Sequence, residues 1–223
     1  MRTRTYSQYC GLACALELVG ERWALLIVRD LVLGPKRFTD LRRGLPRIPS
    51  NVLSSRLREL EEAGIVGRRL LPRPATGVVY ELTEAGRELE DIVLRLGLWG
   101  AKTMREPRPE DTLNADSLLL GLRAIFRPEA ARGLKATYEL RLGELVAHAR
   151  IDGGALEVGE GPLEDPDLVL ETDFAFRAVL TGELGADEAI ESGRLRLVGD
   201  RALLEPFVEA FRIPPVPVTA GAA

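Results

Sequence analysis

The segment between Pro49 and Gly64 constrains the fold more than any other part of the chain. Leu53, Leu57 and Leu60 share one face of a helix, and Gly64 falls on that face where helices commonly stop in a left-handed residue. Ser50 is expected to cap the start, giving a helix over 51–63. Its opposite face presents Asn51, Ser55 and Arg58, with Ser54 beside them. Immediately downstream, residues 66–71 and 78–82 read as strands joined by the Pro- and Gly-containing loop 72–77. A helix bounded at both ends and followed at once by a hairpin leaves few architectures open.

Upstream, residues 13–19 and 23–33 read as two helices separated by Gly20, with Gly34-Pro35 closing the second. A short third helix over 37–45 buries Phe38, Leu41 and Leu45, and Pro46 and Pro49 bracket the turn after it. Downstream of the hairpin, Thr83 is expected to cap one long helix over 85–104. Two helices joined by a short turn, then a hairpin, make a winged helix-turn-helix, whose second helix enters the DNA major groove. The exposed face of that helix is short-chained or cationic, with no acidic residue in its first two turns, which suits a polyanion. Ser50, Asn51, Ser54, Ser55 and Arg58 are the candidates to contact DNA from it, and Lys36, Arg37, Arg47 and Arg73 flank it to hold phosphates. Arg42, Arg43, Arg68 and Arg69 add to the same basic surroundings.

Net charge would argue against such a partner, since 30 Lys+Arg face 34 Asp+Glu. The sum hides an asymmetry: residues 1–104 carry 17 basic against 12 acidic side chains, and residues 105–223 carry 13 against 22. The sign changes at the proline-interrupted stretch 105–111, so domains over 1–104 and 113–213 are expected, joined by a linker over 105–112. The proline-rich end, 214–223, reads as a disordered tail. Apolar residues make up 46% of the chain, enough to fill two cores. The longest apolar run is broken by Arg29 and Asp30 and falls short of a membrane span, and no signal-peptide pattern stands at the N-terminus, so a cytoplasmic protein with no membrane contact is expected.

The second half alternates. Residues 118–126 read as a helix, 135–142, 146–152, 155–158 and 168–172 as strands, 174–180 and 186–192 as short helices, 195–198 as a strand and 202–211 as a final helix. Ala136, Tyr138, Leu140 and Leu142 lie on one face of their strand. The whole chain is therefore expected to be α+β, a winged helix followed by a smaller-sheet α+β domain. The single histidine, His148, reads as structural or exposed, and metal-ligand spacing, a phosphate loop and a nucleophile elbow are all missing. No catalytic residue, metal or cofactor is expected.

After Thr83, Leu89, Ile92, Val93, Leu96 and Trp99 form an apolar stripe longer than one wing can cover. Part of it is expected to pack on Leu16, Val19 and Trp23, and the rest to join a second copy, because one winged helix reads only a half-site. Cys10 precedes the first helix, where unsatisfied N–H groups favour a thiolate, and Cys14 lies one turn on. Two readings stand: small apolar residues of a buried helix, or reactive thiols.

Five ordered blocks carry a resemblance. Cys10-Gly-Leu-Ala-Cys-Ala-Leu-Glu-Leu-Val-Gly-Glu-Arg-Trp23, Arg37-Phe-Thr-Asp-Leu41, Leu53-Ser-Ser-Arg-Leu-Arg-Glu-Leu60, Glu62-Ala-Gly-Ile-Val66 and Tyr80-Glu-Leu-Thr-Glu-Ala-Gly86 closely resemble the HxlR-type winged-helix regulators. The resemblance implies a dimeric prokaryotic transcription factor bound to an inverted repeat of double-stranded DNA. It also places Cys10 where some members carry an oxidant-sensing cysteine. The family often has a basic residue where Asn51 stands.

In the second half, Asp167-Leu-Val-Leu-Glu-Thr-Asp173, Leu180-Thr-Gly-Glu-Leu184, Ala189-Ile-Glu-Ser-Gly193 and Leu197-Val-Gly-Asp200 are similar to the sterol-carrier-protein type of lipid-binding domain. That resemblance implies an apolar tunnel for a small molecule, with Tyr138, Leu140, Phe174, Phe176, Leu180, Phe207 and Phe211 as candidate lining residues or simply as core. Three functions follow: a DNA-binding regulator tuned by an apolar ligand, a lipid carrier whose winged helix makes protein contacts, or a thiol-based regulator acting through Cys10.

Overall fold

A computed structural model describes residues 5–72, 76–104, 108, 111–173 and 175–213. Arg73, Phe174, most of the expected linker and the whole expected tail lie outside the described residues. The chain divides into two compact units between Val93 and Leu94. The division falls within a helix and upstream of the proline-interrupted stretch.

The first unit opens with α1 (Gly11–Val19) and α2 (Ala24–Val32). Ala24, Ile27, Val28 and Leu31 repeat at helical spacing and are all buried, so α2 forms the middle of the core. Trp23, which the sequence placed inside this helix, instead precedes it at φ +81, a left-handed conformation uncommon for a bulky residue. A two-residue strand, β1 (Lys36–Arg37), leads into α3 (Phe38–Gly44), and α4 (Ser50–Glu62) follows. Leu53, Leu57 and Leu60 of α4 are fully buried, each contributing about 2 kcal/mol relative to exposure. Gly64 adopts φ +70 and ends the helix as its position predicts.

Ser50 does not cap α4. It is the first helical residue; Pro49 takes the capping place with extended backbone, and no side chain caps the helix. Proline suits this place because its fixed φ is compatible with the extended entry and its missing N–H would have had no helical partner.

The expected two-stranded hairpin is a three-stranded antiparallel sheet of order β1-β3-β2, with β2 at Val66–Leu70 and β3 at Val78–Leu82. Lys36 pairs with Tyr80 and Arg37 with Val79, a bridge too short to announce itself by alternation. Thr83 does cap the next helix, its hydroxyl accepting from the Gly86 N–H at 3.0 Å and donating to the Gly64 carbonyl at 2.6 Å. One long helix does not follow: α5 (Glu84–Arg87) stops, Glu88 forms a turn, and α6 (Leu89–Ala101) begins anew. The stop coincides with the close approach of Gly86 to the Ile65 carbonyl, where an added Cβ would lie 2.0 Å from the oxygen.

The second unit is built on a five-stranded mixed sheet of order β6-β5-β4-β7-β8. Its strands are β4 (Lys135–Leu142), β5 (Leu145–Asp152), β6 (Ala155–Glu160), β7 (Leu168–Thr172) and β8 (Leu195–Gly199), of which β4 and β7 run parallel. Among the described residues after α6, the helices of this unit are α7 (Ala115–Ile125), α8 (Ala175–Thr181), α9 (Ala186–Glu191) and α10 (Leu204–Ala210). The last replaces the single helix expected over 202–211; residues Arg201–Leu203 form a tighter 3-10 turn, its start capped by the Asp200 carboxylate on the Ala202 N–H. Ala136, Tyr138 and Leu140 are buried on one sheet face as expected, whereas Leu142 is only half-buried at the strand end.

The opposite sheet face carries Glu139, Arg141, His148 and Glu171 beside Val169 and Val198. Glu139 is nevertheless buried, and its carboxylate is satisfied by the Leu163 N–H at 2.8 Å and by Arg141 at 2.6 Å. His148 sits across from it, its ring over Gly159 and its Nδ1 2.9 Å from the Gly161 carbonyl oxygen, a packing place in keeping with a structural role. No helix among the described residues is long and apolar enough to cross a membrane, and no group of three or more His, Cys, Asp or Glu among them could hold a metal ion.

Candidate nucleic-acid interface

With its leucines turned inward, α4 is obliged to present its polar residues outward. Asn51, Ser54 and Arg58 are exposed and Ser55 is half-buried, so the structure brings together the four residues assigned to this face. Arg58 has no ion-pair partner among the described residues, leaving its planar fork of donors available. Ser54 donates its hydroxyl back to the Ser50 carbonyl at 2.9 Å. Ser50 is exposed at the helix start, where the first backbone N–H groups have no side-chain cap.

The flanking cations come from three places. Lys36 and Arg37 stand on β1, where the Arg37 N–H donates to Asp40 at 3.1 Å and fixes the start of α3. Arg42 and Arg43 lie at the end of α3, and Arg47 is exposed in the turn before α4. The wing is less available than the sequence suggests. Arg68 faces Glu61 at 3.5 Å and lies over the Tyr80 ring at 5.5 Å, and Arg69 is held by Glu81 at 3.0 Å. Two of its three arginines are thus partnered by the fold itself.

Sequence reading missed a cluster on the same helix. Ser55 donates to Glu59 at 3.0 Å, Arg56 pairs with Glu59, and Arg56 also reaches Glu21 in the α1–α2 turn at 3.2 Å. The signal was present in the three- and four-residue spacings from Arg56 and Ser55 to Glu59, the spacing of helical side-chain pairs. Glu21 lies too far off in sequence for any such rule.

Both thiols are exposed, which overturns the buried reading of Cys10 and Cys14. Cys10 is the residue preceding the first turn of α1, as its position predicts. Along α1 and α6, Leu12, Leu16, Leu18, Ile92, Leu96 and Trp99 are also exposed, Trp99 at 66%, while Val93 is buried.

In the second unit the aromatic residues pack on one another. Phe207 is the hub, with ring centroids 4.8 Å from Tyr138, 4.6 Å from Phe211 and 6.0 Å from Phe176. Burial pushes the Tyr138 phenol well above its ordinary range, with the charges of Asp167 and Asp200 adding to the effect; its hydroxyl donates to the Leu203 carbonyl at 3.3 Å. Phe176, Leu180 and Phe207 do line a cavity with Leu170, Leu195 and Leu204, but its volume is about 10 Å³, room for roughly one water. Tyr138, Leu140 and Phe211 do not line it; they are fully buried core.

A winged helix whose second helix shows a polar, cationic face defines the helix-turn-helix class of transcription regulators. Residues 18–108 match the HxlR-like helix-turn-helix family, and residues 121–212 match the SCP-2 sterol transfer family. The chain is 48% identical over 96 residues to the HTH-type transcriptional regulator Mb3122 of Mycobacterium bovis, covering 43% of this chain and 59% of that protein. It is 40% identical over 85 residues to the HTH-type transcriptional regulator YodB of Bacillus subtilis, covering 38% of this chain and 76% of YodB. Among solved structures, the redox regulator HypR in its oxidized form is 38% identical, covering 44% of this chain and all 100% of its own, with a TM-score of 0.40. The chain belongs to the HxlR-like helix-turn-helix family, and carries after that domain a sheet-rich region of SCP-2 type.

Proposed function

We propose that the protein is a homodimeric DNA-binding transcriptional regulator that reads an inverted-repeat operator with α4 of each copy. The observation that carries this is the division of α4: leucines buried on one side, and on the other Asn51, Ser54, Ser55 and Arg58, the last with no ion pair among the described residues. Arg58 and Asn51 contact base edges, while Ser50, Lys36, Arg37, Arg47 and Arg73 hold phosphates. The exposed apolar residues of α1 and α6 join two copies, which sets the half-sites about one DNA turn, roughly 34 Å, apart. No catalytic role is assigned to any residue.

The SCP-2-type unit is proposed to bind an apolar small molecule and so bias operator affinity. The match over 121–212 and the apolar lining of the small cavity favour this, and the cavity has to widen to admit a ligand larger than water. A thiol response is a second reading, favoured by the exposure of Cys10 and Cys14. It predicts that diamide releases the operator from the wild type and not from Cys10→Ser.

The deciding test is fluorescence anisotropy with DNA from upstream of the protein's own gene against a scrambled duplex, at several salt concentrations. Specific binding that weakens steeply with salt is expected, because each neutralised phosphate releases counterions. Equal, salt-insensitive binding to both duplexes would favour a lipid carrier, and a lipid extract of the purified protein would then identify the cargo.

A further inference from the structure

We propose that Glu59 determines the base preference of α4, by holding the Ser55 hydroxyl as a hydrogen-bond acceptor toward DNA. The inference rests on the DNA-binding reading above. A serine hydroxyl has one proton to donate. In this structure that proton goes to Glu59 Oε1 at 3.0 Å, so what Ser55 offers outward is its lone pairs. In the major groove the amino groups of adenine and cytosine are donors, whereas guanine N7 and O6 and thymine O4 are acceptors. A free serine hydroxyl could serve either kind of edge; the one held here serves only an amino group.

Glu59 is in turn held. Arg56 pairs with its other oxygen, Oε2, and spans to Glu21 at 3.2 Å, so the carboxylate is tied through one guanidinium to the α1–α2 turn. The arrangement has two effects. It stops Glu59 from rotating away from Ser55, and it neutralises a carboxylate that would otherwise repel the phosphates on either side of the groove. Arg56 and Glu21 are therefore positioning residues: neither needs to touch a base. A link of this kind also joins the reading face to the turn that ends α1.

The test is selection of duplexes from a randomised pool by the full-length protein, followed by anisotropy on the selected site and its single-base-pair variants. The wild type is expected to prefer adenine or cytosine over guanine or thymine at one position of one strand by about fivefold or more. Ser55→Ala removes that preference. Glu59→Ala reduces it to within about twofold at the same pair. Retention of the preference in Glu59→Ala overturns the proposal, as does a change at a pair that Ser55→Ala leaves alone, which would make Glu59 itself the reader. If Glu59→Ala does not fold, Ser55→Ala decides: loss of a preference for a guanine or thymine edge would overturn the proposal, because Ser55 would then be a donor. A wild type that enriches no sequence overturns the DNA-binding reading itself, an outcome distinct from the others.

Discussion

Arg58 is the residue on which a base-reading role turns. Its removal is expected to cost about 1–3 kcal/mol of operator affinity while scrambled DNA loses far less, as read by anisotropy on both duplexes. Gly86 carries a different kind of necessity. A methyl group there would lie 2.0 Å from the Ile65 carbonyl oxygen, so Gly86→Ala should destabilise the first unit by about 2 kcal/mol in urea denaturation. Asp167 gives a pH signature. The Thr137 hydroxyl and N–H both donate to its carboxylate at 2.7 Å and hold its pKa below the ordinary 3.8. A lowered folded-state value stabilises the protein above the ordinary one and is lost as pH falls through the folded one. Thr137→Val should therefore flatten the acid limb of a thermal-melting profile, modestly because the pair is exposed. At this scale the outward residues of α4 were legible, since helical spacing alone sorts leucine from serine and arginine. The Ser55–Glu59–Arg56–Glu21 chain was not, because its last step joins positions 35 residues apart whose meeting only the packed fold decides.

Among the elements, most boundaries followed from glycine, proline and apolar spacing, and the failures share a cause. Lys36 and Arg37 form a strand only because β3 is there to pair with, and a two-residue strand has no pattern of its own. The break between α5 and α6 falls at Glu88, one residue before the apolar stripe of Leu89, Ile92 and Val93 begins, and no proline stands there to mark it. In the second unit the strands were all placed, yet whether aromatic residues line a tunnel or fill it depends on side-chain packing that alternation cannot reveal. Among the described residues, the rings of Tyr138 and Phe211 pack directly on Phe207. Phe207→Ala should cost about 3–5 kcal/mol in the second unit's unfolding transition, and the space it leaves should raise the fluorescence of an apolar dye on titration. An unchanged dye signal in a folded variant would argue against a ligand site behind that ring.

For the molecule as a whole, the proposed pairing of copies makes affinity depend on residues far from any base. Trp99→Asp should shift the protein from dimer to monomer in analytical ultracentrifugation and weaken operator binding more than binding to scrambled DNA, because only a dimer spans both half-sites. The charge asymmetry along the chain is the sequence sign of two units in one polypeptide, which divides between Val93 and Leu94. The parallel pairing of β4 with β7 has a consequence for how the chain is made. Tyr138 lies opposite Leu168, so β4, the central strand, is bordered early by β5 but waits for a segment 30 residues further on to close its other edge. During synthesis the winged helix can be complete while that edge is still open, and an unpaired strand edge rich in apolar residues is where nascent chains stick to one another. A nascent chain that has emerged only as far as the residue before Leu168 would thus hold out a finished first unit attached to an adhesive half-sheet.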